Sequence, residues 1–214
     1  DMWVSKVPVP VTDKVTTHID DQFEQAATIN QWNIYSPQWC KVSTGNNTLT
    51  LHDSDPFDYA KAERIFPASK KINIKFSITP QQNDYGNLEI DLVDGKGAPC
   101  LRLLLDSVGQ LSAKVGYRNR GLQKYKAGEK LAIEIELNTA TRFYTCSING
   151  GKPTTLLCFA PVENVERIVF RTGNTRRFPD ADTPTDQPYD LNGTEKKDKE
   201  ARYSIHYLKT AAGK

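Results

Sequence analysis

Apolar and polar side chains alternate strictly over residues 131–137, LAIEIEL. A period of two is typical of a strand with one buried face and one face in water. A polar turn over residues 138–141 leads into a second run, Arg142 to Ile148, and Asn149-Gly150-Gly151 then turns the chain again. Tandem amphipathic hairpins need a second sheet to cover their apolar face. The pattern therefore predicts a β-sandwich.

The rest of the chain repeats this pattern, with Gly, Asp, Asn and Pro between short apolar runs. The further strand-like runs are 18–24, 48–52, 62–66, 71–79, 88–93, 100–105, 111–117, 155–159, 165–171 and 201–208. Strands that recur about every ten residues with turn residues between them are typical of an all-β sandwich. No segment predicts a helix longer than a turn or two. We therefore predict an all-β fold of two antiparallel sheets.

The two ends of this pattern suggest the domain limits. Residues 1–17 contain Pro8 and Pro10 in an extended Val-Pro context, which predicts a linker or a docking segment. Residues 18–214 form the predicted sandwich, interrupted by a polar loop at about 172–199 that is rich in Asp, Thr, Asn and Lys. A polar loop of this length in a compact domain is usually functional or disordered.

Composition narrows the class of partner. Lys and Arg total 28 against 26 Asp and Glu, a net charge of +2, which argues against nucleic acid or a membrane surface as the partner. Hydrophobic residues make up 38% of the chain, enough for a core. The longest apolar run, 100–105, is interrupted by Arg102, so no membrane span is predicted.

The four cysteines, Cys40, Cys100, Cys146 and Cys158, are scattered without a CxxC pair, which argues against a zinc site. Cys146 and Cys158 lie on candidate neighbouring strands, and both a disulfide and free buried thiols remain open. The chain starts at Asp1 without a basic and apolar leader. Either a leader has been removed or the chain is a piece of a longer protein, and we expect the second.

Carboxylates on strands are the first candidates for catalysis. Glu134 and Glu136 share one strand face, and so do Glu89 and Asp91. Such pairs are usually the solvent-facing side of a strand, and we expect that here. The nucleophile elbow, the Gly-rich phosphate loop and HExxH are absent from the sequence. An independent active site is therefore disfavoured.

Aromatic and basic residues offer better support for sugar binding, since aromatic rings cover sugar faces and Arg or Asn bond the hydroxyls. The predicted carbohydrate-binding residues are Tyr117, Arg118, Asn119, Arg120, Arg171, Arg176 and Arg177. The three arginines 171, 176 and 177 could hold an acidic sugar by paired hydrogen bonds. Trp32, Tyr35 and Trp39 are also of the right type, but we expect the two tryptophans to pack in the core. The alternative for 117–120 is a solvated hairpin end.

Aspartates could also supply the oxygen ligands of one structural calcium ion. The candidates are Asp20, Asp21, Asp53 and Asp55, with Asp58 nearby. Their order is not that of an EF-hand loop, and Asp in a DSDP sequence is also ordinary turn chemistry.

Two stretches together indicate a family. DMWVSKVPVPV, followed by DDQFE and QWNIYSPQW, resembles the segment after the β-propeller of bacterial BNR-repeat, sialidase-like proteins of polysaccharide degradation. ERIVFRTGNTRRFPDADTP resembles the closing part of the same C-terminal module, and the body between them resembles a laminin-G or concanavalin A-like jelly roll. The resemblance implies an accessory module of a larger glycan-active protein with its catalytic residues on a propeller. It also implies a periplasmic, cell-surface or secreted setting. No Asp-box motif, SxDxGxTW, occurs in this sequence.

Three functions follow as hypotheses. The leading one is a non-catalytic accessory sandwich of a carbohydrate-active protein, which binds glycan or buttresses a catalytic propeller. The second is a jelly-roll polysaccharide lyase or glycoside hydrolase acting on its own. The third is a protein-interaction or structural domain that docks through residues 1–17.

Overall fold

The computed structural model describes residues 15–55, 58–173 and 197–213, and these residues form a sandwich of β-strands. The strands are β1 (Asp20–Asp21), β2 (Asn33–Tyr35), β3 (Cys40–Gly45), β4 (Thr48–Asp53), β5 (Lys61–Ser69), β6 (Lys71–Pro80), β7 (Leu88–Val93), β8 (Pro99–Leu105), β9 (Gln110–Val115), β10 (Arg118–Lys124), β11 (Leu131–Asn138), β12 (Phe143–Ile148), β13 (Thr154–Leu157), β14 (Val165–Thr172) and β15 (Ala201–Ala212). A 3₁₀ helix covers Ala26–Gln31. Across the described ranges, no helix is long and apolar enough to cross a membrane.

The strands form two antiparallel sheets. The eight-stranded sheet has the order β13-β12-β11-β6-β15-β4-β3, with β1 paired to β15 outside that path. The seven-stranded sheet has the order β10-β9-β8-β7-β14-β5-β2. The predicted all-β, two-sheet antiparallel sandwich is therefore confirmed.

The central hairpin has the register that its alternation predicts. In β11 the four apolar residues of the 131–137 pattern are buried, while Glu134 and Glu136 are exposed. β12 pairs with β11 from Asn138↔Phe143 to Ile133↔Ile148. This pairing buries one face of the hairpin against the opposite sheet and leaves the other face in solvent.

The core lies between the sheets. Phe76 of β6 and Phe170 of β14 meet edge to face with ring centroids 5.5 Å apart, so they link the two sheets directly. Trp32 packs against Phe170 at 6.1 Å and is buried, which confirms its expected core position. Ile19 and Phe23 are also buried, although only Asp20 and Asp21 of the predicted strand 18–24 form a ladder. Trp39 is only partly buried and has a positive φ of 65°.

Some of the predicted segments fall outside the described residues. This holds for most of the linker 1–17, whose first fourteen residues are not described, and for residues 174–196 of the polar loop. The sequence predicted that the polar loop begins at Thr172. In the structure Thr172 is the last residue of β14 and is buried.

Candidate functional site

The β9–β10 hairpin forms one edge of the seven-stranded sheet and carries four of the predicted sugar-binding residues. Gly116, at φ 55°, and Tyr117 form the turn, and the side chain of Tyr117 is fully exposed. Lys114 holds this turn from one side, since its Nζ donates a hydrogen bond to the Tyr117 carbonyl oxygen at 3.3 Å. The ring of Tyr117 is therefore available to a ligand.

The register of this hairpin divides the predicted residues between two sides of the strand. Arg118 pairs with Val115 and Arg120 with Ala113, a buried residue of the core face. Asn119 pairs with Lys114 and so points to the opposite, outer face. A ligand that contacts Tyr117 can therefore bind on either side of this edge strand. On one side it would contact Asn119 and Lys114, and on the other side Arg118 and Arg120.

Charge distinguishes this hairpin from the rest of the fold. From Ser107 to Gly128 the sequence has five cations, Lys114, Arg118, Arg120, Lys124 and Lys126, and no carboxylate. Among the described residues, neither Arg118 nor Arg120 forms an ion pair. The sequence analysis did not include Lys114 and Lys124 among the candidate residues. They could have been found from the absence of Asp and Glu over residues 107–128, since the chain as a whole is nearly neutral.

Arg171 lies elsewhere on the same sheet. It sits on β14, four strands from β10, which is about 19 Å at the usual strand spacing. Its guanidinium carbon lies 3.9 Å from the centroid of the Tyr59 ring, and the Tyr59 and Tyr35 rings are 5.1 Å apart. The Tyr35 hydroxyl donates to Asp58 at 2.9 Å. The structure thus separates Arg171 from Tyr117, while Arg176 and Arg177 lie outside the described residues.

The expectation that Glu89 and Asp91 form a solvent-facing side is wrong. Glu89 is 9% exposed, and the side chain of Asp91 is 14% exposed. Arg102 of the neighbouring strand donates from Nε and Nη2 to the Asp91 carboxylate at 2.8 and 2.7 Å, and its Nη1 lies 3.7 Å from Glu89. Burial raises the pKa of Asp91, and the hydrogen bonds from Arg102 oppose that shift. One guanidinium serves both carboxylates, which is the geometry of a structural ion-pair network.

The predicted calcium ligands do not meet at one place. Asp20 and Asp21 are neighbours on β1 and point to opposite sides of it. Asp21 accepts hydrogen bonds from the Trp32 indole at 2.9 Å and from Arg64 Nε at 3.0 Å. Asp20 is bound by Lys209 at 2.9 Å, and this hydrogen bond lowers the pKa of Asp20.

Asp53 is the last residue of β4, and Asp55 follows it in the adjoining loop. Asp53 accepts the Asp55 backbone N–H at 2.9 Å, and Asp55 accepts that of Asp58 at 2.7 Å. Burial raises the pKa of Asp53, and a hydrogen bond with Thr172 opposes that shift. Within the described part of the chain, no three His, Cys, Asp or Glu side chains are placed to hold a metal ion. The calcium site therefore stays a prediction, and its test must treat the two aspartate pairs separately.

Comparison with known proteins decides the family. A family model described as "Sialidase-like, CBM domain" matches residues 32–187, most of the chain. The chain belongs to this family. A solved structure described as a sialidase is 41% identical over 96% of this chain, with a TM-score of 0.87. No match was found among curated proteins.

More distant structures share only the fold with this sialidase-like CBM domain. They include the Crh5 transglycosylase, at 13% identity, 98% coverage of this chain, 90% of that chain and a TM-score of 0.68. They also include the carbohydrate recognition domain of Emp47p, at 10% identity, 94% coverage of this chain, 98% of that chain and a TM-score of 0.58. A transglycosylase and a carbohydrate recognition domain thus share this architecture, so the fold alone does not distinguish catalysis from binding.

Family membership, by contrast, does favour one of the three hypotheses. The sialidase-like CBM domain is a carbohydrate-binding accessory module, and a catalytic role is not favoured for it. This chain spans 19% of the length of the similar sialidase. The activity of any larger protein that contains it is therefore a separate question.

Proposed function

We propose that this sialidase-like CBM domain binds an acidic glycan along the β9–β10 edge of the seven-stranded sheet. The observation that carries the proposal is the exposed Tyr117 ring inside a hairpin, Gln110 to Lys124, that has four cations and no carboxylate. The Tyr117 ring covers the apolar face of one sugar. Arg118 and Arg120, or Lys114 with Asn119, bind the carboxylates and hydroxyls of its neighbours.

The same proposal includes the molecular setting of the module. It acts beside a catalytic β-propeller of a glycan-degrading protein, outside the cytoplasm, and keeps that enzyme on its polymer. Its similarity to a sialidase of which it spans 19% supports this role. Binding raises the local substrate concentration without any new contact at the catalytic centre, as in other linked binding modules.

Affinity electrophoresis of the whole chain tests the proposal. The gels contain hyaluronan, alginate, a sialylated mucin or the same mucin after acid desialylation, with calcium or with chelator. We expect retardation by at least one acidic polymer and loss of it in Tyr117→Ala and Arg118→Ala. Arg118→Lys separates charge from paired hydrogen bonding, since lysine keeps only the charge.

Two controls complete this experiment. Lys41→Ala removes an exposed cation from β3 of the other sheet and should leave the retardation unchanged. Added salt should weaken binding at an exposed basic edge, because counterions screen it. Equal retardation of the wild type and both hairpin variants would show that the site is elsewhere. No retardation by any acidic polymer, with the fold intact, would refute an acidic ligand.

A further inference from the structure

A cleft of about 510 Å³ lies on the outer face of the eight-stranded sheet, on the side of the sandwich away from the seven-stranded sheet. Strands β6, β11, β12 and β13 provide most of its floor. Its volume falls in the range of small-ligand sites, about 300–1,000 Å³. It is separate from the basic hairpin, which belongs to the other sheet.

The strand registers build this floor from two parallel rows of side chains. The first row is Asn73, Glu136, Thr145 and Thr155, one residue from each of the four strands. The second row, two residues away on each strand, is Lys71, Asn138 and Phe143, and Leu157 continues it beyond the cleft lining. Residues two apart point to the same face, so both rows line the same surface. Three strand spacings make each row about 14 Å long, the extent of a short oligosaccharide.

The first row consists of polar side chains whose hydrogen-bonding groups are not used within the described part of the protein. Among the described residues, the side chains of Asn73, Glu136, Thr145 and Thr155 make no hydrogen bond or ion pair. They combine an amide, a carboxylate and two hydroxyls, which together donate and accept. Sugar hydroxyl groups also donate and accept. This row therefore matches the hydrogen bonding of a sugar chain laid across the strands.

The second row adds an apolar platform at the sheet edge. Phe143 is 48% exposed and Leu157 is 41% exposed, and the two are direct partners in the β12–β13 ladder. Aromatic and aliphatic side chains that remain in water are energetically favourable surfaces for the C–H face of a sugar ring. The polar row lies directly beside this platform, so a single ligand can use both.

Charge selects the class of sugar. Lys71 and Glu136 are the two charged side chains of the rows, and their charges cancel. With no net charge, the rows offer no excess of cations to an acidic sugar, in contrast with the β9–β10 hairpin. We propose that this cleft binds a neutral oligosaccharide, with Phe143 as its stacking platform and the Asn73–Glu136–Thr145–Thr155 row as its hydrogen-bonding side. This inference rests on the proposed glycan-binding function of the module but uses a second, independent surface.

The test is a titration of the ¹⁵N-labelled whole chain with neutral tetrasaccharides, namely cellotetraose, mannotetraose, xylotetraose and lacto-N-neotetraose. We expect at least one of them to shift the amide resonances of β11, β12 and β13 in a saturable way. Phe143→Ala should weaken the affinity about tenfold, as loss of one aromatic contact predicts, whereas Phe143→Tyr should retain it. Asn73→Leu, a second variant on another strand, should weaken it as well.

The outcomes separate this inference from the proposed function. Neutral sugars that shift only β9–β10 amides, or that bind Phe143→Ala and the wild type equally, overturn the neutral cleft and leave the acidic site untouched. Shifts at the cleft that depend on protein concentration rather than on sugar show an interface between copies and also overturn it. An acidic glycan that shifts no β9–β10 amide refutes the proposed function alone.

Discussion

The sulfur atoms of Cys100 and Cys158 lie 3.5 Å apart in the core, although 58 residues separate them in the sequence. The Phe159 N–H donates to the Cys100 carbonyl at 2.7 Å, which fixes the two segments side by side. The Cys100 thiol donates its hydrogen bond to Cys158, and this bond lowers the pKa of Cys158. The two thiols are therefore placed to react with each other.

We predict that an oxidant such as diamide joins Cys100 to Cys158. The two thiols lose two electrons and two protons to the oxidant, and the sulfur atoms approach by about 1.5 Å. Closing a loop of 58 residues should raise the free energy of unfolding by about 4 kcal/mol in the chain-entropy view. Peptide mapping without reductant detects the link, and urea unfolding measures the gain.

The matched control for the cysteine pair is Cys146→Ser. Cys146 is buried like the other two, but among the described residues the sulfur–sulfur contact is that of Cys100 with Cys158, so the variant should still form the link. Cys158→Ser should abolish it. A mapped bond between Cys146 and Cys158, an alternative that the sequence left open, would contradict the geometry.

Asp21 stabilises the fold through hydrogen bonds to its buried carboxylate, and its removal should be costly. Its carboxylate is 6% exposed and is shared by the Trp32 indole and Arg64. Asp21→Ala leaves a half-buried guanidinium and a buried N–H without that partner, so we expect a loss of about 3 kcal/mol in unfolding free energy. Asp20→Ala, beside it on the same strand, removes exposed contacts with Lys209 and Gln22 and should cost less than about 1 kcal/mol. Equal losses in urea unfolding would argue against this assignment.

The sequence predicted strands well where one face of the strand is buried, because the alternation of apolar and polar residues is visible within a single strand. It predicted β11 and β12 to within about a residue for this reason. It failed for Glu89 and Asp91, whose environment is decided by Arg102 on the next strand. Cross-strand partners depend on register, and no local pattern encodes them.

Phe170 should be among the most sensitive core positions, because it touches aromatic residues from two directions. Phe76 lies at 5.5 Å across the sandwich and Trp32 at 6.1 Å. Phe170→Ala should lower the free energy of unfolding by about 3–5 kcal/mol through lost burial and a residual cavity. The control Phe143→Ala, on an exposed edge, should change it by less than about 1 kcal/mol. Similar melting temperatures for both variants would contradict this core assignment.

His206 should make stability depend on pH. Its Nε2 lies 2.8 Å from Thr79 Oγ1, and burial, assisted by Lys130, lowers its pKa below 6.5. The unfolded chain takes up a proton as the pH falls through about 6.5, whereas the folded chain does so only at lower pH. This contribution is therefore complete above about pH 6.5 and is lost on acidification below it.

Urea unfolding between pH 5 and 7.5, compared with His206→Gln, measures the His206 contribution. The variant should show a flatter pH dependence in this window. Lys130→Gln removes a cation that disfavours the protonated ring, so it should flatten the dependence partly. An unchanged slope in His206→Gln would assign the pH dependence to other groups.

The candidate sites show the same limit of sequence reasoning as the core. The sequence pointed to Tyr117 and Arg118 because they are adjacent in the chain. It grouped Arg171 with them on residue type alone, and the sheet order places it four strands away. Phe143 and Asn73 were missed as partners, since they come from different strands and meet only through the registers of β6, β11 and β12.

The position of β15 has a consequence for how the chain acquires its structure. This strand lies between β4 and β6, and its pairing with β6 joins residues more than a hundred positions apart. During synthesis β4 and β6 emerge long before β15. Until β15 arrives, the edges that it pairs with are open and the core lacks Tyr203 and Ile205. The eight-stranded sheet can therefore form only after β15 has been synthesised. We expect folding to be slow, and the chain to be prone to aggregation while those edges of β4 and β6 remain unpaired.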